Sequence, residues 1–143
     1  MATSAFKTLV DTTFDSVEGY RKASESASSP AMKQALSKRL TERQETLNTL
    51  NSELQRQGEE LVTEGTVSGE LHQAWMKVTD MFQNGDENAA ERVEEGEDYL
   101  RGKFESALND DDLQMEERQV VQQAYAEISE GERFGDMVEN QMD

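Results

Sequence analysis

His72 and Trp75, the only histidine and the only tryptophan of the chain, stand three residues apart in the stretch GTVSGELHQAWMK, 65–77. An imidazole there can serve as a general base or a metal ligand, because its ordinary pKa lies near neutrality. The sequence offers neither role a companion, since the chain has no cysteine, no second histidine and no serine-nucleophile signature. A ring held by hydrogen bonds, with Trp75 as an apolar plug beside it, is the expected role of the pair. The other chemical candidates are two charges, Arg43 and Glu97. Arg43 interrupts the stripe Leu36, Leu40, Leu47, Leu50 and Leu54, and Glu97 interrupts Ala90, Val93, Leu100, Phe104 and Ala107. An unpaired charge in such a stripe is costly, so the two are expected to lie within hydrogen-bonding reach, with Glu18 and Glu94 as second partners and no metal between them.

These residues must be positioned by helices. Phe6, Val10, Thr13, Val17, Tyr20, Ser24 and Ala27 follow alternating steps of four and three, which predicts an amphipathic helix over about 4–27. In SSPAMKQ a serine cap precedes Pro30, the sole proline, and starts a second helix that Gly58 can stop. A shorter helix over about 68–83 places Leu71, His72, Trp75, Met76, Thr79 and Phe82 on one face. Asp86 can cap a third long helix, and the acidic turn NDDD, 109–112, can cap a fourth whose side reads Val121, Ala124, Ile128, Gly131, Gly135 and Val138. On the second helix, Glu42 and Glu45 read as one polar face with Lys38, Arg39 and Thr46. Gly131 and Gly135, one turn apart, can make room for the Trp75 ring or for a second helix. No strand pattern competes. The expected fold is all-α: a single four-helix-bundle domain over 1–143, two helical hairpins joined by a crossover, about 58–86, that carries the short extra helix. One long crossover is the ferritin-like connectivity.

Composition narrows the function. The chain has 143 residues with 31 acidic against 14 basic side chains, a formal charge of -17. Such a field repels nucleic-acid phosphate and anionic lipid, so neither nucleic acid nor membrane is an expected partner. The opening MATSAFKTLVDTTF has neither a basic leader nor a continuous apolar segment, and no run elsewhere approaches the roughly 20 apolar residues that span a bilayer. A cytoplasmic protein is expected. NDDDLQMEE has the acids of a calcium loop without its glycine and spacing, and no phosphate loop or nucleophile elbow occurs.

The pieces VEGYRKA (17–23), ER (42–43), HQAW (72–75) and EEGED (94–98) occur in an order that resembles a bacterial family of small ferritin-like four-helix-bundle proteins of unestablished function. The resemblance covers nearly the whole chain and implies a fold, not a reaction. Metal-loaded ferritin-like proteins hold two ions with a glutamate from each of two helices and a Glu-x-x-His pair from each of the other two. Here Glu42 is followed at that spacing by Glu45, and Glu127 by Glu130. Arg43 points inward instead and supplies the positive charge a metal would bring. No cofactor is expected. An iron or manganese site, the alternative, would be an irregular carboxylate set drawn from Glu18, Glu94, Glu97 and His72.

Three readings follow: a non-catalytic helical protein with a structural or stress-associated binding role, a metal-handling protein, and an acidic module that masks a basic protein partner. Long amphipathic helices can also leave a seam for a twofold homodimer.

Overall fold

A computed structural model describes residues 2–27, 29–62, 73, 75–77, 80 and 89–131. Four long helices make up most of it: α1 (Ser4–Ser26), α2 (Pro30–Arg56), α3 (Ala89–Asn109) and α4 (Met115–Gly131). Among the described residues there is no strand, and no helix is long and apolar enough to cross a membrane.

The helix ends obey local chemistry. Thr3 caps α1 by accepting the Phe6 N–H at 3.2 Å, and Ser29 caps α2 by accepting that of Met32 at 3.4 Å, with Pro30 at the first helical position. At the far end of α2, Gly58 takes φ +82°, the left-handed conformation that glycine adopts without strain. There the Gly58 N–H reaches Gln55 O and the Glu59 N–H reaches Leu54 O, both at 2.9 Å. This double closure satisfies carbonyls that a helix end otherwise leaves unpaired.

The start of α4 departs from expectation. It is not the NDDD turn that caps it but Glu117, in its first turn, whose carboxylate accepts the Gln114 N–H at 2.9 Å. The same carboxylate accepts the Thr3 N–H at 3.1 Å, the Thr3 hydroxyl at 2.9 Å and the Gln57 amide at 3.1 Å. Glu117 is fully buried. Burial alone would raise its pKa, but the Gln114, Gln57 and Thr3 donors hold it below the ordinary carboxylate value.

That junction fixes the topology. The starts of α1 and α4 meet the end of α2 at one end of the molecule, and the short turn 110–114 brings the end of α3 there too. Hence α2 and α3 run in the same direction, and the connection 57–88 must return over the length of α2, about 40 Å at 1.5 Å per residue. Each helix packs against two neighbours: α1 and α4 each touch α2 and α3. α2 and α3 therefore face each other across a diagonal.

The buried seams largely follow the expected ones, with Phe6, Val10, Val17 and Tyr20 of α1 meeting Leu36, Leu47, Leu50 and Leu54 of α2, Val93, Leu100 and Phe104 of α3, and Val121, Ala124 and Ile128 of α4. On α1, Ala23 is buried where Ser24 was expected; Ser24 is half-buried and turns its hydroxyl back to Arg21 O at 2.9 Å. On α2, Arg39 and Thr46 are buried rather than on an outer polar face, whereas Leu40 is only half-buried. Both belong to the charged layer described next.

Candidate functional site

Counted from the shared end at 1.5 Å per residue, Ser16 of α1, Arg43 of α2, Glu97 of α3 and Glu127 of α4 all stand about 18–20 Å up the bundle. A layer at one height follows from the helix lengths alone. Arg43 and Glu97 are 0% exposed, and apolar core lies above and below them.

Every guanidinium nitrogen of Arg43 donates. Nη1 reaches Glu97 Oε1 and Ser16 Oγ, each at 2.9 Å; Nη2 reaches Glu97 Oε2 at 2.5 Å and Glu127 Oε2 at 3.2 Å; Nε reaches Glu127 Oε1 at 2.7 Å. The Arg43–Glu97 contact is a bidentate fork across the bundle diagonal, the arrangement in which planar charge-assisted pairs are strongest. Arg39, one turn earlier, donates to Glu127 Oε2, to Glu127 O at 3.2 Å and to Glu42 at 2.7 Å, and its Nη2 lies 3.8 Å from Glu97 Oε2. The Thr46 hydroxyl completes the shell of Glu127 at 2.7 Å.

The electrostatics match this geometry. Burial would lower the Arg43 pKa, but Glu97 and Glu127 outweigh it and hold the guanidinium above its ordinary value. Arg39 is likewise raised against its burial, with Glu127 and Glu97 supplying the negative charge beside it. Glu127 is lowered despite burial, chiefly by Arg43. The Tyr20 phenol is pushed up by burial and by the Glu97 charge. All four shifts favour two guanidinium ions bound to carboxylates, with a neutral phenol alongside.

A ring stack adjoins the layer. Arg43 lies over the Tyr20 ring, 5.6 Å from its centroid, and the Tyr20 and Trp75 rings are 4.6 Å apart at 54°. The indole sits between α1 and α3 because both helices have a glycine there. A Cβ built on Gly19 would come within 2.2 Å of the Trp75 ring, and one on Gly96 within 3.3 Å. Gly19 and Gly96 thus make the room that Gly131 and Gly135 were expected to make; Gly131 ends α4, and Gly135 lies outside the described residues.

Of the residues singled out from the sequence, the structure brings Arg43 and Glu97 together and sets Trp75 beside them through Tyr20. Glu94 is half-buried one turn before Glu97. Glu18 pairs instead with Arg21 and lines a cleft beside Trp75. His72 lies outside the described residues, as do Asp86 and most of the short helix expected at 68–83. Sequence reasoning missed Arg39, Thr46, Glu127, Ser16 and Tyr20 as members of the layer. The height count above would have found Glu127 and Ser16.

Among the described residues, no group of three or more His, Cys, Asp or Glu side chains is placed to hold a metal ion. The carboxylates of the layer, Glu97 and Glu127, spend their oxygens on guanidinium and hydroxyl donors.

The fold and layer define a class: a helical bundle whose core is crossed by a buried, internally paired arginine–glutamate network. Residues 1–110 match the family described as a domain of unknown function, DUF2383, and the chain belongs to that family. No curated protein and no solved structure matches it. The matched segment holds α1, α2, the connection and α3, and with them Gly19, Tyr20, Arg43, Trp75, Gly96 and Glu97. α4, with Glu117 and Glu127, follows it.

Proposed function

We propose that this is a non-catalytic bundle protein of ferritin-like connectivity, with a structural or binding role, in which guanidinium ions take the place that metal ions hold in metal-loaded bundles. The observation that carries this reading is the complete saturation of Arg43 by Glu97, Glu127 and Ser16. A divalent ion at the layer would have to displace a buried bidentate pair, and it would meet two cations, Arg39 and Arg43, within the same few ångströms. The donor set does not fit a dinuclear site, which needs histidines at Glu-x-x-His spacing that the layer lacks. The layer also offers no nucleophile with an adjacent base.

The test is metal content by mass spectrometry on the purified protein, together with calorimetric titration of manganese(II) and iron(II) under nitrogen. This reading expects no stoichiometric metal and no saturable heat that depends on Glu97. Stoichiometric iron or manganese that disappears in Glu97→Ala would overturn it in favour of a carboxylate metal site.

A second reading rests on the formal charge of -17. A surface so acidic favours a basic protein partner by long-range attraction. Retention on an immobilised basic protein should then fall steeply as salt rises from about 0.05 to 0.3 M. Retention indifferent to salt removes it.

A further inference from the structure

We propose that Glu117 is an acid-released clasp: when its carboxylate takes up a proton, the end of the bundle where α1, α2 and α4 meet opens while the Arg43 layer stays closed. The clasp is built from neutral donors. Among the described residues, those that reach the carboxylate are the Thr3 N–H at 3.1 Å, the Thr3 hydroxyl at 2.9 Å, the Gln57 amide at 3.1 Å and the Gln114 N–H at 2.9 Å. They come from the starts of α1 and α4 and from the residue that follows α2. Two helix N-termini thus converge on one fully buried carboxylate, and their dipoles favour negative charge there. A carboxylate can accept from all of these donors, whereas a carboxyl group loses acceptor capacity and sets its own O–H among them. Protonation makes donors face a donor in a buried place, which costs as much as leaving a buried polar group unpaired.

The charged groups around the clasp are engaged elsewhere. On α1, Lys7 holds Glu59 of the connection at 3.1 Å. At the end of α2, Glu53 binds Arg56 at 2.7 Å and the Gln57 amide at 2.8 Å, and the exposed Arg56 lies in the field of Glu116 and Glu117. On α4, Arg118 turns to Leu108 O at 2.6 Å and Asp110 O at 3.1 Å, and Asp110, Asp111, Asp112 and Glu116 are exposed. Burial works against the Glu117 charge, but the Gln114, Gln57 and Thr3 donors outweigh it and keep the group ionised at neutral pH. The clasp is therefore shut there and released as pH falls through the lowered value. In the layer, Glu127 is also buried but faces two guanidinium ions, Arg43 and Arg39. Opposite charge competes with a proton more strongly than neutral donors do, so the layer outlasts the clasp. What the opening uncovers is apolar, since Phe6, Leu54 and Leu113, neighbours of these donors in the chain, are all buried.

The full-length protein is followed by residue-resolved hydrogen exchange from about pH 7 to 3, each rate referred to that of an unstructured amide at the same pH. The expected result is a loss of protection of about tenfold or more at the amides of Thr3, Lys7, Gln114 and Arg118, at a pH where those of Arg43 and Glu97 keep theirs. Glu117→Gln should show the same pattern at neutral pH without acid. Glu59→Gln, which neutralises the half-buried carboxylate at the same end, should not. If Glu117→Gln does not fold, the pH series of the parent protein decides by itself. Loss of protection at the junction and the layer at the same pH overturns the proposal. So does a folded Glu117→Gln variant whose four junction amides are as protected as the parent's, and so does a Glu59→Gln variant that opens as far as Glu117→Gln.

Discussion

Arg43 is the side chain through which the helices meet: it reaches Ser16 and Tyr20 on α1, Glu97 on α3 and Glu127 on α4. Its pairing with Glu97 was legible in the sequence because each interrupts an apolar stripe and a buried charge demands a partner. Arg39 was not legible in this way. It sits between Lys38 and Glu42, and nothing in that local pattern separates an inward arginine from an outer polar face. Glu127 was hidden for a similar reason, beside Ile128 and three residues before the exposed Glu130. Glu117 is another carboxylate whose burial local pattern could not show, since Thr3 and Gln57, which bind it, come from distant parts of the chain. Glu117→Gln puts an amide N–H₂ where donors converge. It should cost about 1.5–3 kcal/mol, the range for hydrogen bonds to a charged group, in a reversible denaturant titration. A loss below about 0.5 kcal/mol would show that the junction of α1, α2 and α4 does not depend on that charge.

At the scale of elements, the long helices were readable because their apolar residues repeat at helical spacing and because Thr3, Ser29, Pro30 and Gly58 punctuate them. What periodicity could not reveal is where helices approach closely. Gly19 and Gly96 read as interruptions in their helices, and only the position of Trp75 explains them. Trp75→Ala should destabilise by about 3–5 kcal/mol through lost transfer energy and the cavity left behind. Gly19→Ala, whose methyl would meet the indole at 2.2 Å, should cost about 1–3 kcal/mol by overpacking. Gly96→Ala, at 3.3 Å, should cost less. In a Trp75→Ala background the sign at Gly19 should reverse, because the clash is gone and alanine is the better helix former by about 1 kcal/mol. Denaturant midpoints of the four variants check this, and an equal Gly19→Ala loss with and without Trp75 would contradict the wedge.

For the whole molecule, the parallel course of α2 and α3 sets two hairpins against each other, with Arg39 and Arg43 on the first and Glu97 and Glu127 on the second. The halves are thus held in register by opposite charge at one height. Glu117 and Glu127 have folded-state pKa values below the ordinary carboxylate value of about 4.3. Their contribution to stability is therefore fully present above about pH 5 and is lost as pH falls through those lowered values. Unfolding free energy should be level between about pH 7 and 5 with respect to these groups and should drop below about pH 4. Glu117→Gln should flatten part of that drop. An identical acid profile in the variant would mean that Glu117 titrates alike in the folded and unfolded chain.

The central claim, that the layer is an internally neutralised ion-pair network, is tested most directly by a double-mutant cycle on Arg43 and Glu97 in reversible urea unfolding. Arg43→Met leaves Glu97 fully buried, with Arg39 the cation beside it among the described residues, its Nη2 at 3.8 Å, and should cost about 3–5 kcal/mol. Glu97→Gln leaves Arg43 still held by Glu127 and should cost less. The double variant keeps Arg39 balanced by Glu127 and should recover much of the Arg43→Met loss. Losses that simply add, with the double variant the least stable of the three, would contradict the network and leave Glu97 free to serve a different chemistry.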